Sequence, residues 1–152
     1  MTTLKRYYPY KRYRVIILAL SIALLASSLT RPAFYVTNSD TPGWDSAAAF
    51  FFGFFGVLEM KAGISWLANP FLVLSWIVLL RNAKLATLSA LIAILFALSF
   101  LAFRTITVNE AGGTGNITGL ASGYYLWLCS MVALFTGAFG LYIYESGKQA
   151  LR

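Results

Sequence analysis

Six charged side chains outside the long apolar segments are the residues of this chain best suited to chemistry. They comprise four carboxylates and two cations: Asp40, Asp45, Glu59, Glu110, Lys61 and Arg104. A pair of carboxylates can carry out general acid–base catalysis, one as the acid and one as the base. The spacing of these residues matches no metal-binding or nucleophile motif, however, and the sequence contains no histidine. We therefore predict that the protein is not an enzyme and uses no cofactor or metal.

A second polar group lies within an apolar segment, at Asn69 and Pro70. Proline frees the carbonyl of the residue four positions earlier, here Trp66, so a kink is expected near Pro70. An unpaired amide is costly in lipid, and Asn69 should therefore face another helix or that carbonyl. Because broken helices also line transporter cavities, a polar path through the membrane is an alternative. Its lining residues would be Ser65, Asn69, Ser99 and Ser130.

The apolar segments that contain these groups predict membrane-spanning helices. Residues 62–80 and 85–103 form two blocks of nineteen residues on either side of a short basic turn, and about twenty apolar residues suffice to cross a bilayer as a helix. Residues 14–29 and 124–144 predict two further spans. With 59% hydrophobic and 11% charged residues, the chain is too apolar for a soluble domain. We therefore predict an all-α membrane protein, a four-transmembrane-helix bundle in one domain over residues 1–152.

The first predicted span has an alternative interpretation. Residues 1–14 are basic and rich in tyrosine, and an apolar segment follows them directly. This order is typical of a helix whose N-terminus stays in the cytoplasm. The small residues Ala26, Ser27 and Ser28 at the end of that segment also fit the cleavage site of a signal peptide.

A shorter apolar segment, AAAFFFGFFGVL, occupies residues 47–58. Twelve residues are too few to cross a bilayer, so we predict an additional interfacial or re-entrant helix on the outer side. Exposed apolar patches often mark sites of protein interaction, although a hydrophobic lid over the bundle is the alternative. The candidate partner-binding residues in and around the outer segments are Trp44, Asp45, Phe51, Phe54, Glu59 and Glu110.

The charges predict the orientation of the four spans. Nine cations fall in the predicted inner segments and three, Arg31, Lys61 and Arg104, in the outer ones. Short loops that contain Lys and Arg remain on the cytoplasmic side of the membrane, so both termini should be cytoplasmic. The net charge of +7 is then explained by topology, and we predict no nucleic-acid partner. The outer segment 30–46 is expected to be a loop, and residues 105–108 a short extended stretch or hairpin before Gly112.

Small residues in the last two spans predict close helix packing, because they allow backbones to approach each other in lipid. The third span contains Ser89, Ala90, Ala93, Ala97 and Ser99, and the fourth contains the pairs Ala133/Gly137 and Thr136/Gly140. Such faces are also compatible with a homo-oligomer. The single cysteine, Cys129, is expected to be a small buried hydrophobic residue.

Two sequence blocks, Trp66–Pro70 (WLANP) and Gly123–Met131 (GYYLWLCSM), resemble blocks of small, functionally unassigned four-span inner-membrane proteins of bacteria. This resemblance implies the fold and a place in the bacterial cytoplasmic (inner) membrane, but no activity. In size and layout the chain is also similar to small membrane immunity proteins that protect bacteria from pore-forming toxins.

The sequence therefore predicts a non-catalytic protein of the lipid bilayer with an accessory, assembly or toxin-immunity role. Its expected partner is another membrane protein or a toxin, bound through the outer surface formed by residues 30–61 and 104–123. The alternative is an oligomeric pore or small-molecule carrier.

Overall fold

The computed structural model describes residues 11–37, 43–59, 61–107 and 113–150, without the side chains of the last two. Within these residues, four helices are long and apolar enough to cross a membrane, as the sequence predicts. In chain order the elements are α1 (Lys11–Leu29), β1 (Pro32–Val36), β2 (Trp44–Asp45), α2 (Ser46–Phe52), a 3₁₀ segment (Gly53–Glu59), a second 3₁₀ segment (Ala62–Leu67), α3 (Ala68–Leu79), α4 (Ala83–Ser99), a third 3₁₀ segment (Phe100–Ala102), β3 (Thr105–Thr107), β4 (Thr114–Leu120) and α5 (Ser122–Ala150).

Helix α1 buries three polar side chains inside the bundle and exposes several large apolar ones. Its buried residues are Arg14, Ser21, Leu25 and Ser28, which recur on one face of the helix and face α5. This is the reverse of a soluble helix, and it suits a helix whose outer face contacts lipid. The large apolar side chains exposed on α1 are Val15, Ile16, Leu20 and Ile22.

Small residues allow the other helices to pack closely, as predicted, except on the Thr136/Gly140 face of α5, where both residues are exposed. Helix α4 buries Ser89, Ala90, Ala93 and Ala97 between α3 and α5, while Ser99 is only half-buried. On α5, a Cβ atom at Gly137 would lie 2.6 Å from an Ile17 side-chain atom of α1, whereas one at Gly140 would meet nothing within 4 Å. The expectation for Cys129 is wrong, because this residue is exposed on the outer face of α5.

The all-α expectation is wrong at one end of the bundle, where a four-stranded antiparallel sheet has the strand order β2-β1-β4-β3. The expected loop 30–46 contributes β1 and β2, and Phe34 of β1 is opposite Leu120 of β4. These two strands come from segments far apart in the chain, so no local pattern indicates their pairing. The extended stretch predicted from Thr105 is confirmed as β3, which pairs with β4.

The bundle has two ends of different construction. We call the end with the strands the sheet end, and the end where α3 turns into α4 the turn end. At the turn end, the Oδ1 atom of Asn82 caps α4 by accepting a hydrogen bond from the Leu85 N–H at 3.1 Å. The buried guanidinium of Arg14 donates to the backbone oxygen of Leu79 and to the Glu145 carboxylate, which ties α1 to α3 and α5.

The second span changes helix type next to Pro70. Its first part is a 3₁₀ segment, and the α-helix begins only at Ala68. Pro70 is the third residue of α3, and the span is helical on both sides of it, from Ala62 to Leu79. The second span therefore changes from a 3₁₀ helix to an α-helix at Ala68. Pro70 does not interrupt the middle of an α-helix.

Candidate functional site

The short apolar helix predicted over residues 47–58 is present at the sheet end, as α2 together with the 3₁₀ segment that follows it. We call these residues, 46–59, the aromatic helix. Asp45 is the residue that starts it: its Oδ1 atom accepts hydrogen bonds from the N–H groups of Ala47 at 2.6 Å and Ala48 at 3.2 Å. This N-cap satisfies backbone donors that a helix start otherwise leaves free.

The inner face of the aromatic helix packs on the start of the second span. The Trp66 indole N–H donates to the Phe50 carbonyl oxygen at 2.7 Å, and the Phe54 ring lies with its centroid 5.9 Å from that of Trp66. The two 3₁₀ segments approach so closely that a Cβ atom at Gly63 would lie 2.1 Å from the Gly56 carbonyl oxygen. Only glycine fits at this contact.

None of the residues that the structure describes covers the outer face of the aromatic helix. Phe51, Phe52 and Phe55 are each about 60% exposed, and Leu58 is 85% exposed. We call these four side chains the aromatic ridge. Glu59 and Lys61, both exposed, follow the ridge in the chain, with the Lys61 Nζ 4.0 Å from a Glu59 carboxylate oxygen. The Thr107 hydroxyl of β3 donates to the same carboxylate.

A cavity of about 180 Å³ lies behind the aromatic helix, between it, the sheet and the adjoining ends of the spans. Seven aromatic residues belong to its wall: Phe34, Trp44, Phe50, Trp66, Phe100, Tyr124 and Trp127. Glu59 and Lys61 are the two charged residues of the lining, and both are exposed. The cavity is therefore apolar inside and charged where it opens.

Several polar side chains of the wall are bonded within the protein. Trp127 donates its indole N–H to the Asn69 Oδ1 atom at 2.8 Å, and the Tyr124 hydroxyl donates to the Ala97 carbonyl oxygen at 2.9 Å. The prediction that Asn69 faces another helix is therefore confirmed. Ser28 and Ser65, also in the lining, donate to the backbone oxygens of Gly123 and Ala62.

Ser46 also belongs to this wall. Its side chain is buried and lines the cavity, yet its hydroxyl has no hydrogen-bond partner in the described part of the chain. An unsatisfied buried hydroxyl costs about 1–3 kcal/mol. The residue is the first of α2, directly after the capping Asp45.

The predicted partner-binding residues are gathered at the sheet end in different roles. Trp44 is half-buried and stacks on Phe34, with ring centroids 5.7 Å apart, and Asp45 is the helix cap. Phe51 is in the aromatic ridge, and Phe54 is 42% exposed while it contacts Trp66. Glu59 lies at the cavity mouth. Glu110 lies outside the described residues.

The four polar residues predicted for a path through the bilayer do not line one space. Ser65 and Asn69 line the cavity at the sheet end, whereas Ser99 and Ser130 lie outside it. The hydroxyls of Ser99 and Ser130 donate to carbonyl oxygens of their own helices, those of Phe96 and Trp127.

Sequence reasoning did not find the cavity or the burial of Ser46. Trp66 and Trp127 belong to the two sequence blocks noted above, but nothing in the sequence indicates that segments so far apart enclose one space. Among the described residues, no three His, Cys, Asp or Glu side chains are placed to hold a metal ion.

The chain matches no protein-family model, no curated protein sequence and no solved structure. The residues themselves are therefore the basis for assigning a function.

Proposed function

We propose that this protein is a non-catalytic integral membrane protein that binds another membrane protein, or an exported protein such as a toxin, through the aromatic ridge. The exposure of the ridge is the observation that carries this proposal. The inner face of the aromatic helix packs on Trp66, whereas the side chains of its outer face are exposed and can bind a second surface. Contiguous exposed aromatic side chains are typical of the centre of a protein interface.

The charged pair beside the ridge supports the same assignment. Glu59 is held by the Thr107 hydroxyl and lies near Lys61, so its carboxylate has a fixed position next to the apolar side chains. Fixed charges at the rim of an interface set the orientation of the partner and exclude partners of the wrong charge. An aromatic centre with a charged rim is better suited to a protein than to lipid alone.

We further assign the sheet end to the outer side of a bacterial cytoplasmic membrane. In the described residues the turn end has six cations, and the sheet end has Arg31, Lys61 and Arg104. Since Lys and Arg are retained on the cytoplasmic side, the turn end and both termini are cytoplasmic in this assignment. The ridge then faces the compartment that exported proteins enter.

Capture of partners from native membranes tests the proposal. The test variant replaces Phe51, Phe52 and Phe55 by alanine, and the matched control replaces Leu88, Leu91 and Leu95 of α4, which are also exposed apolar residues. Each tagged protein is purified in a mild detergent, and the co-purified proteins are quantified by mass spectrometry. We expect one membrane or exported protein to be enriched with the wild type and the α4 variant and to be lost from the ridge variant.

Charge reversal supplies a second measurement. Glu59→Lys should reduce recovery of the same partner about tenfold, since a misplaced rim charge costs roughly 1.4 kcal/mol or more. Equal recovery with the ridge variant and the α4 variant would overturn the proposal. So would solute flux through the purified protein in liposomes, because flux would support a pore or carrier instead.

A further inference from the structure

The turn end contains an arrangement of charges that partner binding at the aromatic ridge does not use. We infer that this end binds the phosphate of an anionic membrane phospholipid between Lys11 of α1, Arg81 of the turn that joins α3 to α4, and Lys148 of α5. The inference depends on where these cations lie, on the balance of charge around them and on the apolar side chains beside them.

The buried ion pair fixes the point at which three helices meet. The guanidinium of Arg14 in α1 donates to the Glu145 carboxylate of α5 and to the Leu79 backbone oxygen of α3. Helix α1 begins at this end, whereas α3 and α5 end here. Residues that precede Arg14, and residues that follow Leu79 or Glu145, therefore lie beyond this contact, on the side away from the sheet.

Three cations lie just beyond the ion pair, one from each of these segments. Lys11 precedes Arg14 by three residues in α1, and in α5 Lys148 likewise follows Glu145 by three residues. Residues three apart lie on the same side of a helix, about 4.5 Å apart along its axis. Arg81 lies two residues beyond the end of α3. The three cations therefore surround one region outside the ion pair.

Positive charge predominates at the described turn end. Its six cations are Lys11, Arg12, Arg14, Arg81, Lys84 and Lys148, and its one carboxylate, Glu145, is bonded to Arg14. Lys11 and Arg81 are exposed and have no ion-pair partner in the described part of the chain. A phosphate would supply the negative charge that these cations lack. Basic pockets between membrane helices bind lipid headgroups in this way.

The apolar side chains beside the cations favour a lipid as the source of the phosphate. Leu80, directly before Arg81, is 47% exposed, and Tyr144 is 50% exposed. The Lys148 Nζ lies 5.1 Å from the centroid of the Tyr144 ring. Cations next to exposed apolar and aromatic side chains are typical of the level where hydrocarbon meets headgroups, because long basic side chains extend from there toward water. An acyl chain can contact the apolar side chains while the phosphate of the same molecule contacts the cations.

Native mass spectrometry of the purified full-length protein measures the binding of single lipid molecules. The probe is dioleoylphosphatidylglycerol, and its control is dioleoylphosphatidylcholine, which has the same acyl chains and phosphate but also a cationic choline. We expect the anionic lipid to bind about tenfold more tightly. Equal affinities for the two lipids would overturn the inference and favour an acidic protein as the partner of these cations.

Paired charge removals at the two ends provide matched variants. Each cation near an anionic lipid surface contributes about fivefold in affinity. Lys11→Gln/Arg81→Gln should therefore weaken binding of phosphatidylglycerol about twentyfold and leave that of phosphatidylcholine unchanged. Arg31→Gln/Arg104→Gln removes two exposed cations from the sheet end and should change neither affinity. Equal affinities of the two variants for phosphatidylglycerol would overturn the inference.

Lys11→Arg/Arg81→Lys keeps the inference testable if the glutamine variant fails to fold. This variant retains both charges and should bind phosphatidylglycerol as the wild type does, so a loss of binding would overturn the inference. Glycerol 3-phosphate, which has the phosphate without acyl chains, should not compete at the concentration of the lipid, and competition would overturn the assignment to a lipid. Because these measurements use the protein alone and concern the opposite end of the bundle, their failure would not bear on partner capture by the aromatic ridge.

Discussion

At the turn end the buried guanidinium of Arg14 is bonded to Leu79 and Glu145, whereas at the sheet end the buried hydroxyl of Ser46 has no partner in the described chain. Two cavities, of about 180 and 160 Å³, lie at the sheet end. At the turn end, the ion pair between Arg14 and Glu145 joins α1 to α5, and the bond from Arg14 to the Leu79 backbone oxygen adds α3.

We therefore expect the two ends of this small bundle to differ in role, with the buried ion pair of the turn end acting on stability and the sheet end acting on binding as well. Interactions that are complete within the fold stabilise it, while the sheet end also has a cavity and exposed apolar side chains. Substitutions in the ion pair should therefore act mainly on the free energy of unfolding. Substitutions at the sheet end should act on binding as well.

The largest loss of stability is expected from Glu145→Leu at the turn end. It leaves the Arg14 guanidinium buried without its carboxylate partner, and breaking such a pair costs about 3 kcal/mol. Unfolding by SDS in mixed micelles measures the change. The double variant Arg14→Leu/Glu145→Leu is the control and should recover most of the loss, since it removes both charges. If the single and double variants are equally unstable, the ion pair does not have the role assigned to it.

The next largest effect is expected from Gly123→Ala at the sheet end. A Cβ atom there would lie 2.2 Å from the Ser46 Oγ and 2.5 Å from the Pro32 carbonyl oxygen, and overpacking of this kind costs about 2 kcal/mol. Gly140→Ala in the same helix is the control, because its Cβ atom would meet open space. The control should be neutral or stabilising by up to about 1 kcal/mol. Equal stability of the two variants would contradict the close contact between α5 and the aromatic helix.

A smaller loss is expected from Ser21→Ala between the two ends. The Ser21 hydroxyl donates to the Ser130 carbonyl oxygen and accepts from the Trp76 indole N–H, both at 2.9 Å. Bonds of this type between membrane helices contribute about 1 kcal/mol. Ser27→Ala is the control on the same helix, since Ser27 is exposed and bonds only within α1. A loss in the control as large as that in Ser21→Ala would argue against the interhelical bonds.

The difference between the ends also explains what could be predicted from the sequence. The spans follow from the length of apolar segments, and the burial of Ser89 and Ala93 on α4 follows from the rule that small residues pack in lipid. The length of a span and the position of its small residues depend only on residues close together in the chain, so the sequence of each segment is enough to predict them. The Asp45 cap has a local signal too, an aspartate two residues before a run of alanines.

The sheet and the cavity are not local properties. Strand β1 pairs with β4 across most of the chain, and no spacing within either segment specifies that partner. The expectation of an all-α fold failed for this reason. The burial of Ser46 could not be predicted, because it depends on Gly123, which a distant segment brings beside it.

The smallest predicted effect distinguishes the two roles that Asp45 can have at the sheet end. Its carboxylate caps the aromatic helix, and asparagine caps equally well, so Asp45→Asn should change stability by no more than a few tenths of a kcal/mol, whereas Asp45→Ala should cost about 1 kcal/mol. Partner capture provides the second readout. If the charge of Asp45 contacts the partner, Asp45→Asn reduces capture at unchanged stability. If Asp45 only positions the ridge, Asp45→Asn captures as the wild type does, and Asp45→Ala alone loses both capture and stability.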